Sequence, residues 1–221
     1  MNSMDTLLVF GDSWPYGSGL NPDQKAFGQL LSESMNIKNF KNFAIPATSN
    51  SRTLWELMQC LKSIEVTSTT LAVFFITTPG RYMLVDWDNK IIDINMPPIS
   101  KLSDIVRPAT FSEIYYKYLQ TGPNEDFELK KNILALQRIC EQKQLKDFYI
   151  VGWSDLDVDC PGIDNNKIYK QTCAQILGYE NQQDYLTSKP NQYCLPCKHP
   201  NQEGHTLIAD TLFTWIQKNI P

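Results

Sequence analysis

Short apolar runs alternate along the chain with longer stretches in which apolar residues recur every three or four positions. Short runs are typical of buried strands, and the longer spacing is typical of amphipathic helices. The clearest strand is "TLAVFFIT" at 70–77, which is apolar on both faces, as a central parallel strand is. The pattern predicts parallel strands at 6–10, 39–45, 70–77 and 148–153.

The remaining pattern predicts helices, loops and one hairpin. Helical spacing occurs at 24–35, 49–64, 111–119, 127–144, 167–177 and 201–218. Two short apolar runs at 82–85 and 90–94 flank the polar sequence "DWDN", which predicts a β-hairpin. Loops are predicted at 96–108, 155–164 and 179–198. Strands that alternate with helices predict a single three-layer α/β/α domain over 1–221, with a central parallel sheet of about five strands and a hairpin insertion.

Composition excludes several classes of function. The chain has 221 residues, is 42% hydrophobic and carries a net charge of −4. It has no basic stripe, so we expect no nucleic-acid partner. It has no apolar stretch of about 20 residues, so we expect no membrane span. Its first six residues are polar and lead directly into the first strand, which predicts no signal peptide and a cytoplasmic location.

The six cysteines raise the question of a metal site. Cys60 and Cys140 lie in helical patterns, and we expect them in the core. The other four lie in the last third of the chain: Cys160, Cys173, Cys194 and Cys197. Four thiolates can bind zinc, but these lack the usual two-plus-two spacing. Reduced thiols are therefore favoured, and we expect no metal or other cofactor.

The stretch "LLVFGDSWPYGSG" at 7–19 points to chemistry. Ser13 lies just past the first strand, and parallel sheets bind ligands at the carboxyl ends of their strands. A serine hydroxyl needs a base within hydrogen-bond reach to act as a nucleophile. Both histidines of the chain lie in "KHPNQEGH". His199 precedes the last predicted helix and is the candidate base, whereas His205 lies inside the helix, where a packing or capping role is expected.

Three blocks of the sequence resemble those of the SGNH/GDSL hydrolases. They are "VFGDSWPYG" at 9–17, "NFAIPATSN" at 42–50 and "HPNQEGH" at 199–205. The order and spacing are similar to those of the family across nearly the whole chain, including its divergent, compact viral and bacterial versions. The resemblance implies a flavodoxin-like fold and a serine hydrolase acting on esters or acyl groups. It also implies that Ser13 is the nucleophile and His199 the general base.

The catalytic acid of the family is missing from its usual place. The family's aspartate stands three residues before the histidine, where this chain has Pro196. The substitute is either another acid or a backbone carbonyl that holds the imidazole ring. The candidate acids are Asp155, Asp157, Asp184 and Glu203. Asp12, next to Ser13, is a further candidate for an acid or a substrate contact.

The oxyanion hole implied by the resemblance also departs from the family. The backbone N–H groups of Ser13 and Ala47 are its expected donors, and Ala47 replaces the glycine of the second block. The asparagine that follows the third strand in the family is absent, because the chain continues there as "TPGRY". Asn50, Thr78 and Arg81 are the candidates to replace it. Arg81 would favour an anionic substrate, or else pair with an acid at the surface.

Two functions remain open at this point. The first is an esterase or deacetylase that removes a small acyl group, such as acetate, from a carbohydrate or lipid. Its only expected partner is the small-molecule ester or acylated carbohydrate that it cleaves. The second is a binding or structural module of the same fold, with weakened or absent hydrolysis. The missing aspartate and asparagine favour the second function, and the presence of both Ser13 and His199 favours the first.

Overall fold

The computed structural model describes residues 4–85, 91–94 and 122–220. The strands are β1 (Thr6–Phe10), β2 (Asn39–Asn42), β3 (Thr70–Ile76), β4 (Tyr82–Val85), β5 (Ile91–Ile94) and β6 (Lys146–Val151). The helices are α1 (Ser13–Tyr16), α2 (Phe27–Ser34), α3 (Asn50–Ser63), α4 (Gly122–Gln142), α5 (Cys173–Ile176), α6 (Gln182–Thr187) and α7 (Gln202–Asn219). A 3₁₀ turn covers Asn165–Lys167.

Four parallel strands form the central sheet, in the order β2-β1-β3-β6. Successive residues of β3 are buried on opposite faces of the sheet, because side chains alternate along a strand. Val73 and Phe75 pack with residues of α2 and α7, whereas Ala72 and Phe74 pack with residues of α3 and α4. The predicted three-layer α/β/α arrangement is therefore confirmed.

The prediction of about five strands was wrong, since the sheet has four among the described residues. Beyond β6, Ile168 forms only an isolated parallel bridge to Tyr149. The Tyr169 N–H donates to the Tyr149 carbonyl at 2.8 Å. The 3₁₀ turn ends just before Ile168, and Thr172 caps α5 just after it. The extended segment between them is too short to form a ladder.

Other predictions were confirmed, corrected or not tested. β4 and β5 form the predicted hairpin, with Tyr82 paired to Ile94 and Val85 to Ile91. Only Cys173–Ile176 of the predicted helix 167–177 is helical, because its capping box begins at Thr172. The segment 179–198, expected to be irregular, contains α6. The "DWDN" turn and the predictions at 96–108 and 111–119 lie outside the described residues.

Within the part of the chain that the structure describes, no helix is both long and apolar enough to cross a membrane.

Candidate active site

Ser13 stands at the carboxyl end of β1, on the first residue of α1. The turn between them needs Gly11, whose φ is +140° and whose added Cβ would lie 2.6 Å from Phe75 Cβ. Asp12 caps α1 by accepting the Trp14 N–H at 3.1 Å. The Ser13 side chain is nearly buried, and its hydroxyl makes no hydrogen bond to residues 4–85, 91–94 or 122–220.

The second block forms a tight turn beside Ser13. The Thr48 N–H donates to the Ile45 carbonyl at 3.3 Å, with Pro46 and Ala47 between them. Ala47 has a φ of +62°, the left-handed value that a type II turn requires at its third position. This requirement explains why the family has glycine here. Within the described residues, the N–H groups of Ser13 and Ala47 form no hydrogen bonds, so both can donate to a ligand.

Thr77, the residue after β3, links three loops at this edge of the sheet. Asn50 Nδ2 donates to the Thr77 carbonyl, and Asn50 Oδ1 accepts the Thr77 N–H, both at 3.0 Å. Thr77 Oγ1 donates to Asp12 Oδ2 at 2.7 Å. Asn50, a candidate oxyanion donor, is thus engaged in structural hydrogen bonds and keeps one amide N–H for another acceptor. Sequence reasoning did not identify Thr77, and no motif marks it.

Arg81 pairs with Asp12 inside the site. Its Nη1 lies 2.8 Å from Asp12 Oδ2 and 3.3 Å from the Thr48 carbonyl. The guanidinium also lies over the Trp153 ring, 5.4 Å from its centroid. Burial raises the pKa of the Asp12 carboxyl, and the Arg81 charge opposes that rise. The acid that Arg81 contacts is therefore a buried one, and not one at the surface.

Thr78 and Tyr16 are accessible to solvent, whereas Trp14 is not. Thr78 is half-buried, and its hydroxyl makes no hydrogen bond within the described parts of the chain. Tyr16 is exposed, whereas Trp14 is buried against Phe75 and Trp153. Trp14 therefore belongs to the core and does not line a cleft.

His199 lies on a tight turn just before α7, as predicted. The Leu195 N–H donates to the His199 carbonyl, and the Lys198 N–H donates to the Leu195 carbonyl, both at 2.8 Å. Asn201 then caps α7 by accepting the Gly204 N–H at 2.9 Å. Burial lowers the pKa of His199 below its usual 6.5, and the nearby Asp12 charge opposes that change. The imidazole is therefore neutral at pH 7, as a general base must be.

The loop after α1 brings the His199 turn to the Ser13 side of the sheet. A Cβ added at Gly19 would lie 2.6 Å from Leu195 Cδ1 and 3.9 Å from His199 Cβ. His199 Nδ1 lies 3.4 Å from Cys197 Sγ. Neither Ser13 Oγ nor His199 Nε2 makes a hydrogen bond within the described residues, so no direct Ser13–His199 bond is present.

The acids proposed from sequence have other partners. Asp155 Oδ2 accepts the Gln182 N–H at 3.2 Å, and Asp157 Oδ2 lies 3.3 Å from Lys130 Nζ. Asp184 accepts from the Ser188 hydroxyl and the Glu180 N–H. Glu203 is exposed in the first turn of α7. Within the described residues, none of the four hydrogen bonds with His199.

The second histidine and the cysteines have structural surroundings. His205 is fully buried in α7, and its Nδ1 accepts the Phe27 N–H at the start of α2 at 3.1 Å, the capping role that was expected. All six cysteines are free, and Cys60 and Cys140 are buried as predicted. Among the described residues, no three His, Cys, Asp or Glu side chains are grouped to hold a metal.

No protein-family model and no curated protein sequence matches the chain. Among solved structures, a member of the lipolytic G-D-S-L family from Veillonella parvula has a TM-score of 0.53 and 14% sequence identity, covering 97% of this chain and 99% of that chain. This chain has the fold of the SGNH/GDSL hydrolases. The resemblance of the three sequence blocks is thus confirmed at the level of the fold.

Two further structures with this fold are esterases. The psychrotrophic esterase EstA from Pseudoalteromonas sp. has a TM-score of 0.54 and 13% identity, covering 97% of each chain. The acetyl xylan esterase AlAXEase has a TM-score of 0.51 and 12% identity, covering 95% of this chain and 98% of that chain. The SGNH/GDSL fold therefore extends over nearly the whole length of this protein.

Proposed function

We propose that this protein is a serine esterase of the SGNH/GDSL type, with Ser13 as nucleophile and His199 as general base. The observation that carries the proposal is the grouping at the carboxyl edge of the sheet. Among the described residues, the Ser13 hydroxyl and the N–H groups of Ser13 and Ala47 have no hydrogen-bond partner, and the turn that holds a neutral His199 packs on Gly19, in the loop after α1. Nucleophile, base and oxyanion donors are the groups that acyl transfer needs.

The reaction takes two steps. In the first, Ser13 Oγ attacks the acyl carbonyl while His199 Nε2 takes its proton. The negative oxygen that develops accepts hydrogen bonds from the Ser13 and Ala47 N–H groups, and His199 returns the proton to the leaving alcohol. In the second, His199 takes a proton from a water that attacks the acyl-serine; the acyl–Oγ bond then breaks, His199 returns the proton to Ser13 Oγ, and the acid is released.

Arg81 is the third oxyanion donor in this proposal, in place of the family's asparagine. Its Nη1 contacts Asp12, which precedes Ser13, and Thr48, which follows Ala47. The guanidinium therefore contacts both of the loops that carry the backbone donors. Its other N–H groups make no hydrogen bond within the described residues and can reach a ligand. Asp12 offsets its charge, so a neutral ester suits the site better than an anionic one.

The substrate proposed is a small acyl ester of a carbohydrate, acetate in the first instance. Support comes from structures of similar fold, one an acetyl xylan esterase and another described as a carbohydrate esterase.

Hydrolysis of p-nitrophenyl acetate tests this function. We expect turnover by the wild type and a loss of at least about 100-fold in kcat in both Ser13→Ala and His199→Ala. Thermal unfolding of the variants serves as the folding control. Equal rates for the wild type and a folded Ser13→Ala variant would rule out the esterase.

The alternative is a module of the same fold that binds without hydrolysing. It is favoured by the absence, within the described residues, of any carboxylate hydrogen-bonded to His199. Calorimetry with an acetylated oligosaccharide separates the two functions. Binding with equal affinity by wild type and Ser13→Ala, without any release of acetate by either, would establish the module and exclude the enzyme.

A further inference from the structure

We propose that Cys197 is the positioning residue of His199, in the role that an aspartate has in the SGNH/GDSL hydrolases. This inference rests on the proposed function. Cys197 Sγ lies 3.4 Å from His199 Nδ1, within hydrogen-bonding distance for sulfur. The thiol thus faces the nitrogen that the aspartate would face, from a position two residues before the histidine instead of three.

The direction of this hydrogen bond decides whether His199 can act as a base. If Nδ1–H donates to sulfur, Nε2 keeps its lone pair and can accept the Ser13 proton. If S–H donates to Nδ1, Nε2 carries the proton and cannot accept another. Catalysis therefore requires sulfur as the acceptor. A thiol sulfur accepts more weakly than a carboxylate, so the contact orients the imidazole ring without supplying the charge of an aspartate.

The turn from Leu195 to His199 fixes the sulfur against the ring. Two backbone hydrogen bonds of 2.8 Å close this turn, and Lys198 takes a φ of +64° within it. Gly19 lies close to the same sulfur, since a Cβ added there would lie 3.7 Å from Cys197 Sγ. The Cys197 sulfur is therefore near both Gly19 and the imidazole, although the residue is otherwise exposed.

The backbone of Cys197 is the competing partner of the same ring. A hydrogen bond to the main chain of Cys197 raises the pKa of His199, although burial outweighs it. Side-chain substitution removes the sulfur and leaves this backbone group in place. Variants of Cys197 therefore separate the thiol from the carbonyl as the group that orients His199.

Kinetics provide the first test. We expect Cys197→Ala to lower kcat for p-nitrophenyl acetate by about 10- to 100-fold with KM within about twofold, because the remaining backbone contact still orients the ring in part. Cys197→Asp should restore kcat to at least half the wild-type value. Cys160→Ala is the matched control, since Cys160 is a partly exposed thiol whose sulfur donates to the Pro161 carbonyl, and it should leave kcat unchanged. Wild-type kcat in Cys197→Ala would overturn the proposal.

Nitrogen-15 NMR of the imidazole gives a test that needs no activity. Measured in Ser13→Ala protein above pH 6.5, His199 should be mainly the Nδ1–H tautomer. Adding Cys197→Ala should shift it towards Nε2–H and lower the pKa of His199, and Cys197→Asp should raise that pKa. An unchanged tautomer and pKa in Cys197→Ala would assign the role to the backbone carbonyl and overturn the inference. The expected shifts without any ester hydrolysis would uphold the contact and reject the esterase.

Discussion

At the scale of one residue, Ala47 takes a backbone conformation that glycine usually adopts, in a block where the SGNH/GDSL hydrolases have glycine. The alanine keeps the left-handed φ of +62° that its turn demands. A residue with a Cβ is strained in that region by about 1–2 kcal/mol, whereas glycine is not. The N–H that the turn directs outwards is a backbone group, so the substitution leaves this donor in place.

We therefore expect Ala47→Gly to raise the free energy of unfolding by up to about 1 kcal/mol. The release of strain exceeds the roughly 0.4–1 kcal/mol lost through the greater freedom of glycine in the unfolded chain. Ala47→Val, with a branched side chain at the same φ, should be destabilising. Urea unfolding measures both. Destabilisation by Ala47→Gly would show that the turn is not strained.

Sequence reasoning could propose roles for residues that lie in a recognisable motif. Ser13, Ala47 and His199 each lie in a block with a recognisable order, which is why the sequence alone could propose them as site residues. Thr77 and Cys197 could not be found in this way. Their contacts join residues from different loops or depend on the shape of a turn, and one sequence carries no record of either.

At the scale of whole elements, tertiary contacts determine where a helix begins, and the local sequence pattern did not predict this. Helix α2 begins at Phe27. Its N-cap residue is Ala26, whose side chain makes no capping hydrogen bond. The acceptor of the Phe27 N–H is His205 on α7, 178 residues away. The predicted start at residue 24 was early for this reason. The same histidine Nε2 is buried without a partner within the described residues, so the ring is suited to the neutral form only.

The pH dependence of stability tests this helix contact. Burial lowers the pKa of His205 to about 4, against 6.5 in the unfolded chain. The stabilisation that neutral His205 gives the folded protein is complete above pH 6.5. It is lost as pH falls towards 4, because the unfolded chain binds a proton at this histidine more tightly than the folded protein does. The loss is about 2–3 kcal/mol between pH 6.5 and 4.5.

His205→Asn keeps an acceptor for the Phe27 N–H but cannot titrate. We expect the free energy of unfolding of this variant, measured by urea titration at several pH values, to lack the part of its pH dependence that His205 contributes. His199→Asn is the matched control. It should keep most of the pH dependence of the unfolding free energy, because His199 is only half-buried. The same slope in His205→Asn as in the wild type would contradict the assignment.

At the scale of the whole molecule, segments that are far apart in the sequence lie next to each other. β1 comes first in sequence but lies between β2 and β3 in the sheet. The N-terminus of α7 is fixed to the start of α2 through Gln202, whose amide accepts the Lys25 N–H at 2.8 Å and donates to the Lys25 carbonyl at 3.2 Å. The alternation of strands and helices in the sequence predicted the three-layer arrangement. The hydrogen bonds between Lys25 and Gln202 follow from tertiary packing and could not be predicted in this way.

Covalent labelling tests most directly whether Ser13 is a nucleophile that His199 activates. The protein is treated with a fluorophosphonate, and peptide mass spectrometry locates the adduct. We expect one adduct on Ser13, none in Ser13→Ala, and labelling slowed at least about 100-fold in His199→Ala. An unlabelled wild type, or an adduct that persists in Ser13→Ala, would contradict the catalytic pairing of these two residues.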